Sequence, residues 1–255
     1  MSGISTRIYA ANVTALENKA LYHEAYYKVT DERRKKTDSL HFLMDKQLSL
    51  GVELLLSHGL KQWGINLNKM NYCYGANGKP YLTGRQNVYF NLSHSEEAVL
   101  CAISFSEIGC DIEKISDIHL KTAKKYFCES EYKMIVSQKT PEAKREMFFR
   151  LWTLKESFIK LTGMGLHLPM NSFDIQLGTD TIEVNQKLGC ETCYFQETTL
   201  WKDYKCSVCG FDEKIGRKNG VSFEILNFYD ILCHKEGPIA DGRIPYDLHA
   251  HQRTS

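Results

Sequence analysis

The chain lacks the long apolar run, the charge imbalance and the repeats that mark several common classes of protein. No stretch of its 255 residues approaches the roughly 20 consecutive apolar residues of a membrane-spanning helix. Its 32 basic and 31 acidic side chains give a formal net charge of +1, which creates no global attraction to nucleic acid or to a membrane surface. Residues 1–10 lack the apolar segment of a signal peptide. We therefore expect a monomeric cytoplasmic protein with no nucleic-acid or membrane partner.

Nine cysteines are an odd number for a chain without an export signal, so we interpret them as reduced thiols. Four of them form two pairs with the spacing of a zinc ribbon, namely Cys190 with Cys193 and Cys206 with Cys209. A zinc-stapled binding module is therefore an alternative function. Cys206 and Cys209, however, lie in a strand pattern, where a spacing of three directs the two sulfurs to opposite faces.

Hydrophobic spacing predicts an α+β fold, and the 43% of hydrophobic residues can fill a core. We predict a helix over residues 38–59 capped by Gly59, and further helical segments over 117–138 and 142–162. We expect two halves, 1–106 and 107–237, each with a long helix and a small sheet, and a poorly ordered tail over 238–255. The predicted strands are Val88–Leu92, Val99–Phe105, Ile108–Ile115, Ser172–Leu177, Thr181–Asn185, Tyr194–Leu200, Tyr204–Gly210 and Ser222–Leu226.

The helix over 142–162 combines a core-facing stripe with a charged face. Glu156 and Lys160 lie one turn apart on that face beside Lys155, and Gly163 follows the last turn. A carboxylate and two ammonium groups held on a rigid helix are suited to catalysis. The alternative interpretation is an exposed helix in which these residues form an ordinary surface ion pair. The apolar stripe consists of Met147, Leu151, Leu154, Phe158 and Leu161.

Two carboxylates share one face of the predicted strand over 108–115. Asp111 and Glu113 are two residues apart, so both side chains point to the same side of the strand. Neighbouring carboxylates repel each other unless a cation lies between them, and an incomplete set of oxygen ligands suits Mg²⁺. The alternative is a solvent-facing strand edge with ordinary charges.

Ser93 and His94 end another predicted strand and are suited to hydrogen bonding with a phosphate. Adjacent residues rarely form a nucleophile–base pair, but a coenzyme A-dependent acyltransferase or hydrolase stays open as an alternative, as does ordinary turn chemistry. Lys79, held in a turn, and the charged run over 31–36 supply cations that could meet a polyanion, unless that run is simply a solvated face.

These elements, in this order, resemble the surfactin-type 4′-phosphopantetheinyl transferases. The resemblance implies two similar α+β halves in one chain, a pseudo-dimer with the active site in the cleft between them. It also implies coenzyme A and an apo acyl or peptidyl carrier protein as substrates. The matching residues are Gly78-Lys79-Pro80, Phe90-Asn91-Leu92-Ser93-His94-Ser95, Ile108-Gly109-Cys110-Asp111-Ile112-Glu113, and then Phe149, Trp152, Lys155-Glu156-Ser157-Phe158, Lys160, Gly163 and Gly165-Leu166.

The resemblance also implies roles for the catalytic residues. Asp111, Glu113 and Glu156 would hold Mg²⁺, with Mn²⁺ as a substitute, and Glu156 would also be the base that deprotonates the carrier serine. Lys160 would stabilise the departing adenosine 3′,5′-bisphosphate, and Lys155 would contact the diphosphate.

The remaining implied contacts are with coenzyme A. Ser93 and His94 would hold its 3′-phosphate, assisted by Arg33 and Lys36. Lys79 and Pro80 would line the adenine. The family often has an arginine in the segment that reads Asp45-Lys46-Gln47-Leu48-Ser49-Leu50-Gly51 here, and Lys46 keeps the positive charge but loses bidentate phosphate geometry.

Overall fold

The computed structural model describes residues 5–84, 87–118 and 120–233. The first part of the chain forms β1 (Thr6–Asn12), α1 (Lys19–Lys28), α2 (Asp31–Asp38), α3 (Leu43–Lys61), β2 (Tyr72–Tyr74), β3 (Pro80–Leu82), β4 (Tyr89–Ser95) and β5 (Ala98–Ser104). The second part forms β6 (Ile108–Lys114), α4 (Leu120–Tyr126), α5 (Glu129–Val136), α6 (Pro141–Thr162), β7 (Asp174–Leu177), β8 (Ile182–Asn185), β9 (Tyr194–Leu200), β10 (Tyr204–Gly210), β11 (Ser222–Ile225) and α7 (Phe228–Cys233).

Two sheets carry the same strand order. In the first sheet β1 pairs with β5 and β5 pairs with β4, all antiparallel, and α3 lies between β1 and β4 in the chain. In the second sheet β6 pairs with β10 and β10 with β9, again antiparallel, and α6 lies between β6 and β9. The predicted α+β class is confirmed, and the repeated β-α-β-β order supports two similar halves.

The core has three layers of apolar contact. Successive side chains of β5 point to opposite faces of the sheet. On one face, Val99, Cys101 and Ile103 pack toward α3. Ala98, Leu100 and Ala102 pack against the second sheet, whose own outer face is covered by α6. Because both faces of β5 are covered, all seven of its residues are buried.

The C-terminal described segment returns to the first sheet. β11 pairs in parallel with β1, and Phe228 of α7 is fully buried in the core beneath α3. The predicted boundary between residues 106 and 107 stays a prediction, and the tail predicted over 238–255 lies outside the described residues. In the described part of the chain, every helix is too short or too polar to span a membrane.

One predicted cap is wrong, and several elements were not predicted. Gly59 lies inside α3, which continues to Lys61, and a Cβ there would come 2.4 Å from Ile103 Cδ1 and 2.5 Å from the Tyr9 ring. Its function is therefore close packing of helix on sheet. The elements that the sequence patterns missed are β1, β2, β3, α1, α2 and α7.

Candidate active site

Helix α6 is held firmly at both ends. At its start, Thr140 caps the first turn by accepting a hydrogen bond from the Ala143 amide at 3.1 Å, and Pro141 occupies the first helical position. At its end, Gly163 has a φ of 66°, a left-handed conformation that glycine adopts readily. The predicted stripe is confirmed, because Leu151, Leu154, Phe158 and Leu161 are buried and Met147 packs against the same cluster.

Gly109 brings α6 directly onto β6. A Cβ at this position would lie 2.0 Å from the carbonyl oxygen of Ser157, so only glycine allows the helix to approach the strand this closely. Asp111 follows two residues later on the same face of β6. The close approach thus places Lys160 of α6 against Asp111 of β6.

A charged cluster forms where α6, β6 and β4 meet. The Lys160 Nζ donates to Asp111 Oδ1 at 2.7 Å and to Ser93 Oγ at 2.9 Å, and Ser93 Oγ lies 2.8 Å from the same carboxylate oxygen. Next to it, Ser95 Oγ donates to Glu113 Oε2 at 2.7 Å. Asp111 Oδ2 is buried and has no hydrogen-bond partner among the residues that the structure describes. The cluster therefore leaves one buried anionic oxygen available for a further cation.

The carboxylates of this cluster repel one another. Burial raises the pKa of Glu113 to about 7, and the Asp111 and Glu156 carboxylates contribute to that rise. Burial and Asp111 likewise raise the pKa of Glu156. Burial has the largest single effect on the pKa of Lys160 and would lower it, but Asp111, Cys110 and Glu156 together outweigh burial and the pKa is raised. Lys160 is accordingly a charged ammonium, and a second cation would relieve the remaining repulsion.

This donor set fits Mg²⁺ in its chemistry. Carboxylate oxygens are the ligands that Mg²⁺ prefers, and it commonly takes only one or two of them with water and phosphate completing the shell. Within the described ranges, no group of three or more His, Cys, Asp or Glu side chains is already assembled with metal-site geometry. Asp111 Oδ1 is instead engaged by Lys160, so the free oxygen Oδ2 is the position that invites a metal ion.

A cavity of about 510 Å³ opens on the other face of β4. Its wall includes Arg33, whose Nε donates to Glu53 Oε2 at 2.8 Å, and Tyr72, whose hydroxyl donates to the same oxygen at 3.0 Å. The lining comes from α2, α3, the β2–β3 hairpin and β4, and consists of Glu32, Arg33, Lys36, Leu40, Asp45, Leu48, Ser49, Val52, Glu53, Tyr72, Tyr74, Gly78, Pro80, Phe90, Leu92 and His94.

One end of the cavity is basic. Partial burial lowers the pKa of Lys36, and the Arg33 guanidinium lowers it further. Partial burial also lowers the pKa of His94, and the ammonium groups of Lys160 and Lys36 add to this effect. Repulsion between Arg33 and Lys36 is relieved when an anion binds, so this part of the cavity suits a phosphate, although Glu32 and Asp45 also line the cavity.

The structure separates Ser93 from His94. Successive side chains of a strand point to opposite faces, so His94 lines the cavity while Ser93 faces the Asp111–Lys160 cluster. The predicted joint grip of both residues on one phosphate is therefore corrected: only His94 lies on the cavity wall. The same separation argues against a Ser93–His94 nucleophile–base pair, and hence against the hydrolase alternative.

Two predicted ligand contacts are also corrected. Lys155 is fully buried, with its Nζ 2.7 Å from Glu131 Oε1 and 2.6 Å from the Phe173 carbonyl oxygen, so it cannot reach a diphosphate. The Lys79 side chain turns away from the cavity and donates to Glu107 Oε2 at 2.6 Å. Lys46 lies outside the described lining of the cavity, and its contact with coenzyme A stays a prediction. In contrast, Arg33, Lys36 and Pro80 do line it, and their binding roles stay predictions.

The zinc alternative fails on geometry. Cys206 packs in the apolar layer between the two sheets, whereas Cys209 packs with Cys193 beneath α6. The predicted opposite orientation of Cys206 and Cys209 is therefore confirmed, and the four sulfurs cannot converge on one ion. All nine cysteines are free thiols.

The sequence patterns missed important parts of the cavity. Glu53 is the buried acceptor that organises Arg33 and Tyr72, and its only sequence signal is a single carboxylate within the most apolar part of α3. Tyr72 and Tyr74 lie on the short strand β2, and Tyr74 of this pair is exposed at the cavity wall. The available signal was the spacing of two residues between these tyrosines, just before the turn at Gly78, which is typical of a short strand with both rings on one face.

The chain is similar to known proteins of one family. Residues 107–209 match the model of the 4′-phosphopantetheinyl transferase superfamily. A 4′-phosphopantetheinyl transferase of Bacillus subtilis is 32% identical over 183 residues, covering 71% of this chain and 81% of that protein. The 4′-phosphopantetheinyl transferase gsp of Aneurinibacillus migulanus is 39% identical over 167 residues, covering 65% and 69%. A third relative, the 4′-phosphopantetheinyl transferase ffp of Bacillus subtilis, is 33% identical over 204 residues, covering 78% and 89%.

The chain therefore belongs to the 4′-phosphopantetheinyl transferase superfamily, and the predicted family and enzyme class are confirmed.

Proposed function

We propose that the enzyme transfers the 4′-phosphopantetheine group of coenzyme A to a serine hydroxyl of an apo acyl or peptidyl carrier protein, releasing adenosine 3′,5′-bisphosphate. The observation that carries this proposal is the position of the Lys160–Asp111 cluster beside the basic end of the cavity at His94. One part of the site suits a phosphate-bearing nucleotide, and the adjoining part suits charge that develops on a diphosphate.

The cavity would take the nucleotide of coenzyme A. Its volume of about 510 Å³ is ample for a nucleotide, and Tyr74 and Pro80 offer flat apolar surface for a base. Lys36 and His94 would face the 3′-phosphate, with Arg33 held in place by Glu53. This arrangement directs the diphosphate toward Lys160 on the far side of β4.

Glu156 would act as the general base. Burial and the neighbouring Asp111 raise its pKa above the ordinary value of a carboxyl group, which makes its carboxylate a stronger proton acceptor. It would take the proton from the carrier serine as the serine oxygen bonds to the phosphorus that bears pantetheine. General base catalysis of this kind contributes ~10²–10⁴ in rate.

Lys160 would serve the leaving group. The bond between that phosphorus and the bridging oxygen breaks, and its electron pair departs with adenosine 3′,5′-bisphosphate. A charged ammonium fixed by Asp111 and Ser93 can donate to the departing phosphate without reorganisation during the reaction.

Asp111, Glu113 and Glu156 would hold the divalent metal ion. When bound, Mg²⁺ would supply Lewis-acid neutralisation of the diphosphate charge. The support for this role is the buried free oxygen of Asp111 and the raised pKa values of Glu113 and Glu156. A monomeric state, a cytoplasmic location and the absence of nucleic-acid and membrane partners belong to the same proposal.

The test is incubation of the protein with coenzyme A, Mg²⁺ and an apo carrier protein, followed by mass spectrometry of the carrier. We expect the carrier to gain one phosphopantetheine, and the gain to require a serine in the carrier. Excess chelator should abolish the reaction, and Mg²⁺ or Mn²⁺ should restore it. An unmodified carrier in the presence of Mg²⁺ would contradict the transferase proposal, whereas full transfer in excess chelator would contradict the metal role alone.

A further inference from the structure

The β2–β3 hairpin faces the nucleotide cavity with one side and the catalytic helix with the other. Tyr74, Gly78 and Pro80 of the hairpin line the cavity. From the turn between the strands, Asn77 Nδ2 donates to the carbonyl oxygen of Gly163 at 3.0 Å, immediately after α6. Lys79 Nζ donates to the carbonyl oxygen of Leu161 at 3.1 Å, in the last turn of α6. The hairpin therefore satisfies carbonyl groups that a helix end leaves without intrahelical partners.

Lys79 also reaches the strand that carries the acidic residues. Its Nζ lies 3.1 Å from the carbonyl oxygen of Ile108, the first residue of β6, and 2.6 Å from Glu107 Oε2. The side chain is 6% exposed, so these bonds form in a protected environment. One ammonium group thus joins the end of the helix that carries Lys160 to the start of the strand that carries Asp111.

The packing around Gly163 depends on the same hairpin. A Cβ at Gly163 would lie 3.4 Å from Lys79 Cδ and 3.9 Å from the Tyr81 hydroxyl, so the helix end is seated on the hairpin. Within the described ranges, β2 and β3 pair with each other and belong to neither of the two larger sheets. A small hairpin outside the main sheets can shift without breaking them, and a shift would move the end of α6.

We propose that the turn over residues 75–79 is a positioning element that couples occupation of the nucleotide cavity to the placement of Lys160, with Asn77 and Lys79 as the positioning residues. This inference rests on the proposed function, in which the cavity takes the nucleotide and α6 carries the catalytic groups. Contact between the nucleotide and Tyr74 or Pro80 fixes the hairpin, and the hairpin then holds the last turn of α6 against β6.

The test compares two matched variants of the full-length protein. Asn77→Asp keeps the size of the side chain but removes the donor to Gly163. Asn71→Asp makes the same change just before β2, at an exposed residue outside the active site. Amide hydrogen exchange over residues 157–163 is measured with and without adenosine 3′,5′-bisphosphate, together with kcat and KM for coenzyme A.

In the wild type and in Asn71→Asp, we expect the bisphosphate to slow exchange both in α2 and at the end of α6. In Asn77→Asp it should slow exchange in α2 alone. We expect kcat of Asn77→Asp to fall by a factor of roughly 2–12, which corresponds to the loss of one hydrogen bond, with KM for coenzyme A unchanged. Lys79→Met should lower kcat further, by ~10–10²-fold, because the helix end loses its alignment.

The outcomes separate this inference from the proposed function. If Asn77→Asp matches Asn71→Asp in exchange and in kcat, the positioning role is wrong even though the wild type modifies the carrier. The positioning role is also wrong if the wild type binds the bisphosphate and amide hydrogen exchange at the end of α6 does not slow. If the wild type neither binds the bisphosphate nor modifies the carrier, the proposed function fails and this inference fails with it. Should Lys79→Met not fold, the Asn77→Asp comparison decides alone.

Discussion

Lys160 and Asp111 form an ion pair between α6 and β6, with Nζ 2.7 Å from Oδ1. The second carboxylate oxygen, Oδ2, is buried and finds no hydrogen-bond partner in the part of the chain that the structure describes. An unsatisfied buried acceptor is unfavourable, and a bound metal ion would satisfy this one. This half-satisfied carboxylate supports the proposed catalytic role of the cluster.

Asp111→Asn should therefore impair catalysis much more than folding. The change keeps the size of the side chain but removes both the charge that accompanies Lys160 and the free anionic oxygen. We expect transfer to the carrier to fall by at least ~10²-fold, as for other losses of transition-state charge stabilisation. The rate is measured by mass spectrometry of the carrier and folding by urea denaturation. Asp117→Asn, at an almost fully exposed carboxylate, is the control and should retain normal transfer.

Glu156→Gln tests the general base. A surface ion pair one turn from Lys160 would be worth only ~0.3–0.5 kcal/mol, and its loss would barely affect the enzyme. If Glu156 is the base, turnover should instead fall by at least ~10²-fold while the core stripe keeps the protein folded. Glu142→Gln, in the exposed first turn of the same helix, is the matched control. Near-normal turnover of a folded Glu156→Gln protein would leave α6 with a structural role alone.

Substitutions at the two neighbouring residues His94 and Ser93 should have different effects on coenzyme A recognition. His94 lies on the cavity wall, so His94→Ala should remove most of the preference for coenzyme A over dephospho-coenzyme A. Ser93 hydrogen-bonds with Asp111 and Lys160, so Ser93→Ala should keep that preference and slow transfer with both substrates. The measurement is kcat/KM for each substrate. If the wild type and His94→Ala show the same preference for coenzyme A over dephospho-coenzyme A, the 3′-phosphate does not bind at this end of the cavity.

Lys155 should matter for stability. Its ammonium and the Glu131 carboxylate are both completely buried and lie 2.7 Å apart. Removing one partner of a buried pair leaves an uncompensated charge, so Lys155→Met should lower the free energy of unfolding by about 3–5 kcal/mol. Urea denaturation measures this, with Lys133→Met at an exposed pair as the control that should change little. A Lys155→Met protein of normal stability that fails to transfer would restore the predicted diphosphate contact.

Sequence patterns predicted several elements of the second half of the molecule well. The strands over 108–115, 194–200 and 204–210 and the helix over 142–162 each cover the observed element to within one residue at either end. Helix α6 has a buried apolar stripe and a charged face, so its hydrophobic residues recur with the period of the helix. Strands β6 and β10 are buried on both faces, and they were predicted without such a contrast.

Several elements of the first half left no such pattern. Strand β1 is covered on both faces by α3 and the second sheet, so most of its residues are buried and apolar and polar residues do not alternate. Helix α2 is almost entirely polar, and the charged run over 31–36 is equally typical of an exposed loop. Its local signals are the N-cap at Thr30, the acidic first turn and the basic last turn. The ion pair between Arg33 and Glu53 joins it to α3.

The sequence by itself determined the chemistry that this protein can perform. A strand with two carboxylates on one face, and a helix with Glu156 and Lys160 one turn apart, follow from backbone periodicity alone. Tertiary structure alone decided which charged groups reach the site. Lys155 and Lys160 are five residues apart on one helix, yet Lys155 is buried against Glu131 and Lys160 faces Asp111. Local geometry sets the direction of a side chain relative to its own element, whereas the packing of elements from distant parts of the chain sets what that side chain meets.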